Sequence, residues 1–362
     1  MNRSQQDHKG FRDRRRRLLA ARLLLGLFGL RKFALPLVIL LLVLIVPHVA
    51  SAHEVYVLTP AQIHEAVTTA SADPFDAMGE HAEQFLLWGG ITAVALLVAV
   101  SLSISRLMRR TLDPWLVRLK KHAPLVARVT FGASLFASGW YGAIFGPELP
   151  LAMTTPPNVA HIVAVALMIV GVLIVVGFRT RWMSFLVLAL FVYAAANYGW
   201  YMLTYANYLG EAILFIILGG GWFGRAFERY SFFILRILFG FALFFASFYA
   251  KFWHSNLALM TVNDYHLTDY FHFTPLFLVL GAFIIEALLG LCFMTGFEIR
   301  LASIFFATFI GMSLMFFGEA VWPHLILFGV SATLFMHGYD KYTLEEALFS
   351  RRMKGKATEP VL

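Results

Sequence analysis

Five side chains able to bind a metal crowd into HSNLALMTVNDYHLTDYFHF, residues 254–273: His254, Asp264, His266, Asp269 and His272. Neutral imidazole suits zinc or copper, with carboxylate oxygens completing the donor set. The spacing matches no dedicated zinc motif. The candidate ligands from sequence are therefore His254, His266, Asp269 and His272, joined by His53 if the chain is cut just before it. A free amine and the His53 imidazole would together chelate one copper ion.

A second chemistry lies in ionisable residues within apolar runs, which are costly in lipid and are functional candidates for that reason. Glu286 is the deepest, flanked one helical turn away by Ala282 and Gly290. Small residues on its face point to a helix–helix seam. Two roles fit it: a proton-accepting carboxylate that contacts a quinone, or a structural partner of Arg236 or Arg300, with Arg236 the favoured cation. Glu211, Lys251, His254, Glu319 and His324 fall at the ends of apolar runs, with His161 at the start of another. Lys251 and Glu319 are expected to form an interfacial pair, since lysine snorkels toward water. The alternative is a site at the bundle mouth where His324, Glu211 and their neighbours exchange protons with a quinol head group. Tyrosines and tryptophans near run ends are expected to form an interfacial belt.

These residues need a scaffold, and composition defines it. Of 362 residues, 60% are hydrophobic and only 14% charged, against about 25% charged in a soluble domain. Apolar runs recur at lengths that cross ~30 Å of hydrocarbon, so the chain reads as an all-α polytopic membrane protein in a lipid bilayer. The net charge of +8 sits in short clusters between the runs. That is the pattern of membrane orientation and excludes nucleic acid as a partner. The single cysteine, Cys292, excludes an intrachain disulfide, a CxxC pair or an iron–sulfur site.

Ten spans are expected, over 33–52, 86–104, 123–145, 158–177, 183–203, 207–223, 231–252, 273–294, 301–317 and 323–337. With the N-terminus inside, Arg106 to Lys121, Arg179, Arg181, Arg225, Arg229, Arg300 and the tail from Lys341 to Lys356 all fall on the cytoplasmic side. The opposite loops, including 53–84, 146–157 and 253–272, hold no lysine or arginine. This obeys the positive-inside rule and places the His-rich loops outside the cytoplasm of a multi-pass cell-membrane protein. Arg31 and Lys32 precede the apolar core Phe33–Val46, and Ala50-Ser51-Ala52 follows. Those are the parts of a secretory signal cleaved after Ala52, the alternative being an uncleaved anchor.

An internal repeat organises the rest. ARVTFGASLFASGWYGAIF (127–145) matches LRILFGFALFFASFYAKFW (235–253), aligning Arg128 with Arg236, Gly132 with Gly240 and Tyr141 with Tyr249. VGVLIVVGFRTR (170–181) matches LGLCFMTGFEIR (289–300), aligning Gly171 with Gly290 and Gly177-Phe178 with Gly296-Phe297. Each unit has four spans, so the copies run parallel. The expected division is 1–52 leader, 53–122 outer segment with one span and a basic loop, 123–230 first unit, 231–340 second unit and 341–362 tail.

The opening Arg-x-x-x-Gly helix with a tyrosine near its outer end, and the later G-x-x-x-x-x-G-F-x-x-R element, resemble the DoxX-like membrane family, here as two tandem four-helix units. The resemblance implies a membrane component of a redox or respiratory assembly, quinone-linked, with soluble or membrane redox subunits as partners. No nucleotide loop, catalytic triad, haem-attachment site or flavin fingerprint is present. A non-enzymatic transporter, metal-handling protein or membrane scaffold is the other reading.

Overall fold

The computed structural model describes residues 58–103, 113–318 and 320–347, all within one compact unit, 48–362. The leader, the signal-like segment and His53 lie outside the described residues, as does Glu319.

Every regular element among the described residues is helical. Six helical stretches are long and apolar enough to cross a membrane: Ala82–Ser101, Pro157–Val176, Thr180–Leu218, Gly224–Trp253, Pro275–Thr295 and Ile299–Phe317. The protein is therefore an all-α, multi-pass membrane protein. Ala82–Ser101 is apolar all round and none of it is buried, as lipid contact on every side demands.

Eight helices build the repeat: α1 Ala123–Trp140, α2 Pro157–Val176, α3 Thr180–Tyr198, α4 Ala206–Leu218, α5 Ser231–Phe248, α6 Pro275–Thr295, α7 Ile299–Phe317 and α8 Leu325–His337. The glycines aligned in sequence are the crossing points. A methyl group at Gly132 would fall 2.5 Å from the Gly171 carbonyl oxygen, and one at Gly240 would fall 2.5 Å from that of Gly290. Only a missing Cβ lets α1 and α2, and likewise α5 and α6, approach so closely.

The aligned arginines are equivalent too. α2 ends at Gly177 (φ 86°) and α6 at Gly296 (φ 71°), each followed two residues on by a non-glycine in the left-handed region, Arg179 or Glu298. The Arg128 guanidinium lies against Gly177 and that of Arg236 against Gly296. Arg236 Nη1 donates to the carbonyls of Phe293 and Met294, both at 2.7 Å, and Nη2 to that of Tyr342 at 3.0 Å. A buried cation here satisfies carbonyls that the end of α6 leaves open.

The two units share one core. α4 packs chiefly on α5, with Gly210 beneath Leu235 and Leu238, and α8 packs on α1, with Gly329 against Thr130. Phe131, Leu167, Phe191, Tyr208, Phe239, Phe293, Phe306 and Val330, one from each helix, belong to a single hydrophobic cluster.

At the end opposite the arginines, two expected loops are structured. Residues 253–272 form the helices Ser255–Asp264 and Leu267–Phe271, because Leu257, Ala258 and Val262 turn inward and are buried. Residues 142–151 form a tight hairpin, with Ile144 N–H bonded to the Leu149 carbonyl and Leu151 N–H to that of Gly142, both at 2.9 Å. Its Ile144, Phe145, Leu149 and Leu151 side chains are fully buried.

Candidate functional site

The hairpin carries Glu148 into the bundle mouth. Facing it is a stripe of tyrosines at 198, 201, 205 and 208, spaced three, four and three residues apart along α3, the 3-10 stretch Gly199–Tyr205 and α4. Helical periodicity puts all four on one face. Each hydroxyl meets the hairpin. Tyr198 donates to the Pro150 carbonyl at 3.5 Å and Tyr208 to that of Phe145 at 3.3 Å. Tyr201, at 2.9 Å, and Tyr205 both donate to Glu148 Oε1. These tyrosines therefore clamp a buried loop, whereas the sequence reading assigned them to an interfacial belt.

Beside the clamp lies a cavity of about 60 Å³, between α4, α5 and the start of α8. Its polar lining is Tyr201, Thr204, Tyr205, Asn207, Tyr249 and His324. Tyr205 and His324 end matching 3-10 turns, Gly199–Tyr205 and Trp322–His324, that lead into α4 and α8. The two units thus present a phenol and an imidazole to one space. His324 is buried, and its Nδ1 lies 3.1 Å from the Ala320 carbonyl oxygen. Of the sequence candidates, His324 lines this cavity and Glu211 follows one turn after Asn207 on α4. Glu148 and the tyrosines were missed. The spacing of Tyr198, Tyr201, Tyr205, Tyr208 and Glu211 was the available signal.

Lys251 and Glu286 form a separate pair, Nζ to Oε2 at 2.9 Å, with side chains 3% and 22% exposed. This corrects two expectations. Glu286 is joined to Lys251 rather than to Arg236, whose Nη1 and Nη2 donate to the carbonyls of Phe293, Met294 and Tyr342. The Lys251 side chain is buried rather than reaching water, its expected pairing with Glu319 falling on a residue outside the described ones. A five-residue π turn, Tyr249–Trp253, continues α5 and adds the extra residue that turns Lys251 toward α6.

Among the described residues the proposed metal ligands do not converge, and His53 lies outside them. Among the described residues no three His, Cys, Asp or Glu side chains could hold a metal ion together. His254 stacks on Trp253, with ring centroids 5.6 Å apart, and burial pushes its pKa below the ordinary imidazole value. His266 and His272 occupy left-handed positions at either end of Leu267–Phe271, while Asp269 sits in its exposed first turn. Asp264 accepts from Gln62 Nε2 at 2.9 Å.

Fold and site define a multi-pass helical membrane protein with a polar cavity between α4, α5 and the start of α8. No family model, curated protein or solved structure matches the chain.

Proposed function

We propose that the chain is a DoxX-like membrane component of a redox-linked assembly, and that its cavity exchanges protons with a quinol head group. The observation that carries this reading is the pairing of Tyr205 and His324 across one cavity, with Tyr205 bonded to Glu148. Carboxylate, phenol and imidazole together accept and pass protons near neutral pH. At about 60 Å³ the space holds roughly four waters rather than a ring, since a cavity that takes up benzene measures about 150 Å³. The head group therefore docks at the mouth, and water relays its protons to His324 and Glu148. Quinol gives up two protons and two electrons in becoming quinone. With one cysteine and no cofactor motif in the chain, the electrons go to a partner subunit that carries the redox centre.

Loop charge supports an orientation with the arginine-rich end in the cytoplasm and the cavity at the outer face. The equivalent placement of Arg128 and Arg236, and of the two glycine pairs, supports the tandem-unit reading. The test is purification in mild detergent, followed by mass spectrometry of bound quinones and partner proteins. Wild type should retain both. His324→Gln and Glu148→Gln should keep the partners and lose quinol-dependent electron transfer. A scaffold would hold its partners and leave that transfer unchanged in both variants.

A further inference from the structure

Glu211 continues the tyrosine stripe three residues past Tyr208, and its surroundings set it apart from every other carboxylate described. It is wholly buried, and neither carboxylate oxygen has a hydrogen-bond partner. Tyr208, on the same helix, lies within electrostatic reach of both Glu211 and Glu148 of the hairpin. Burial without a partner disfavours an ionised carboxylate so placed far more than the neutral acid.

We propose that Glu211 is a proton-storing acid that exchanges its proton with the histidine-rich face through the tyrosine stripe and the cavity. Glu148 and Tyr205 form the entry. Tyr201, Tyr205 and Asn207 touch the cavity, and Asn207 stands one turn before Glu211. Tyr208 stands between Tyr205 and Glu211, its hydroxyl within reach of Ser134 and Ser138 on α1. Each hydroxyl or water passes on one proton as it receives another, so nothing is consumed and the carboxyl ends protonated as it began. On the opposite side of the protein the path stops, because α4 below Glu211 continues as Ala212, Ile213, Leu214, Phe215 and Ile216. The store thus communicates with one face only. This inference needs no quinone and stands apart from the redox reading.

Infrared spectroscopy of the full chain in lipid nanodiscs at neutral pH, without quinone, tests it. Wild type should show the carbonyl stretch of a buried protonated carboxylic acid, shifting when the buffer is changed to D2O, and Glu211→Gln should lose that band. Tyr205→Phe and Glu148→Gln should keep the band and slow its shift by roughly tenfold or more, while Glu286→Gln should change neither. If Glu211→Gln fails to fold, the wild-type band and its exchange rate in Tyr205→Phe and Glu148→Gln decide alone. A band that persists in folded Glu211→Gln, a wild type without one, or exchange within about twofold of wild type in both entry variants overturns the proposal. The expected Glu211 band and exchange, together with quinol-dependent electron transfer unchanged in His324→Gln and Glu148→Gln, would count against the redox reading alone.

Discussion

Replacing Glu286 by Gln removes a carboxylate from beside the Lys251 ammonium, which is only 3% exposed. At 2.9 Å and an effective dielectric of about 20, the attraction between unit charges is about 6 kcal/mol. Desolvation of both groups offsets much of it, and Glu286, 22% exposed, keeps some solvent. A net coupling of about 2–3 kcal/mol is expected, in the range of hydrogen bonds between charged groups. Glu286→Gln should destabilise by about 2–3 kcal/mol, because it removes a charge-assisted contact to a buried ammonium. Lys251→Met should cost less, about 1–3 kcal/mol, since the carboxylate left behind reaches solvent more readily. The assay is reversible unfolding in mixed micelles with rising dodecyl sulfate, followed by circular dichroism, for both single variants and the double. A coupling below about 0.5 kcal/mol is the additivity expected of independent sites and would refute the pairing. The parallel cycle of Arg236→Gln with Glu286→Gln should be additive within that margin.

Three further outcomes are expected. Gly132→Ala, Gly171→Ala, Gly240→Ala and Gly290→Ala should each destabilise by about 1–3 kcal/mol through overpacking, whereas Gly281→Ala and Gly311→Ala, with open space around them, should be neutral or gain up to about 1 kcal/mol; the same unfolding assay reads both sets. Burial alone would raise the Asp340 pKa, but bonds from His337 and the Tyr342 N–H, with the charges of His337 and Arg236, hold it below its ordinary value. Its contribution is therefore full at neutral pH and fades as pH falls below about 4, so limited proteolysis should begin to cut near residue 340 there, and in Asp340→Asn already at pH 7. In a Cys292→Ser background, single cysteines at 75 and 260 should label from outside and those at 115 and 350 only from the cytoplasm; any one on the wrong side breaks the ten-span topology.

The six candidate spans among the described residues were legible in the sequence because lipid tolerates so few charges that each apolar run declares itself. The crossing points were legible because close helix contact has one chemical solution, and Gly132, Gly171, Gly240 and Gly290 recur in register. Lys251 was harder. Its direction depends on a π turn that adds one residue to α5, and no propensity pattern marks that insertion. The hairpin GPELP reads as an ordinary turn, and its burial is specified by tyrosines some fifty residues later in the chain, such as Tyr201 opposite Glu148. Tyrosines near a span end have a common interfacial use, which hid the helical spacing of these four. The histidines of 254–273 looked convergent because they are close in sequence, but two short helices hold them apart.

The crossed packing of α4 on α5 and of α8 on α1 bears on ancestry and assembly. A chain holding one unit alone would expose to lipid the face of its fourth helix that here rests on its sister. Such a chain would complete itself by pairing with a second copy about a two-fold axis along the membrane normal. The two halves of the present chain differ, one with a tyrosine at 205 where the other holds a histidine at 324, an asymmetry that a homodimer cannot encode.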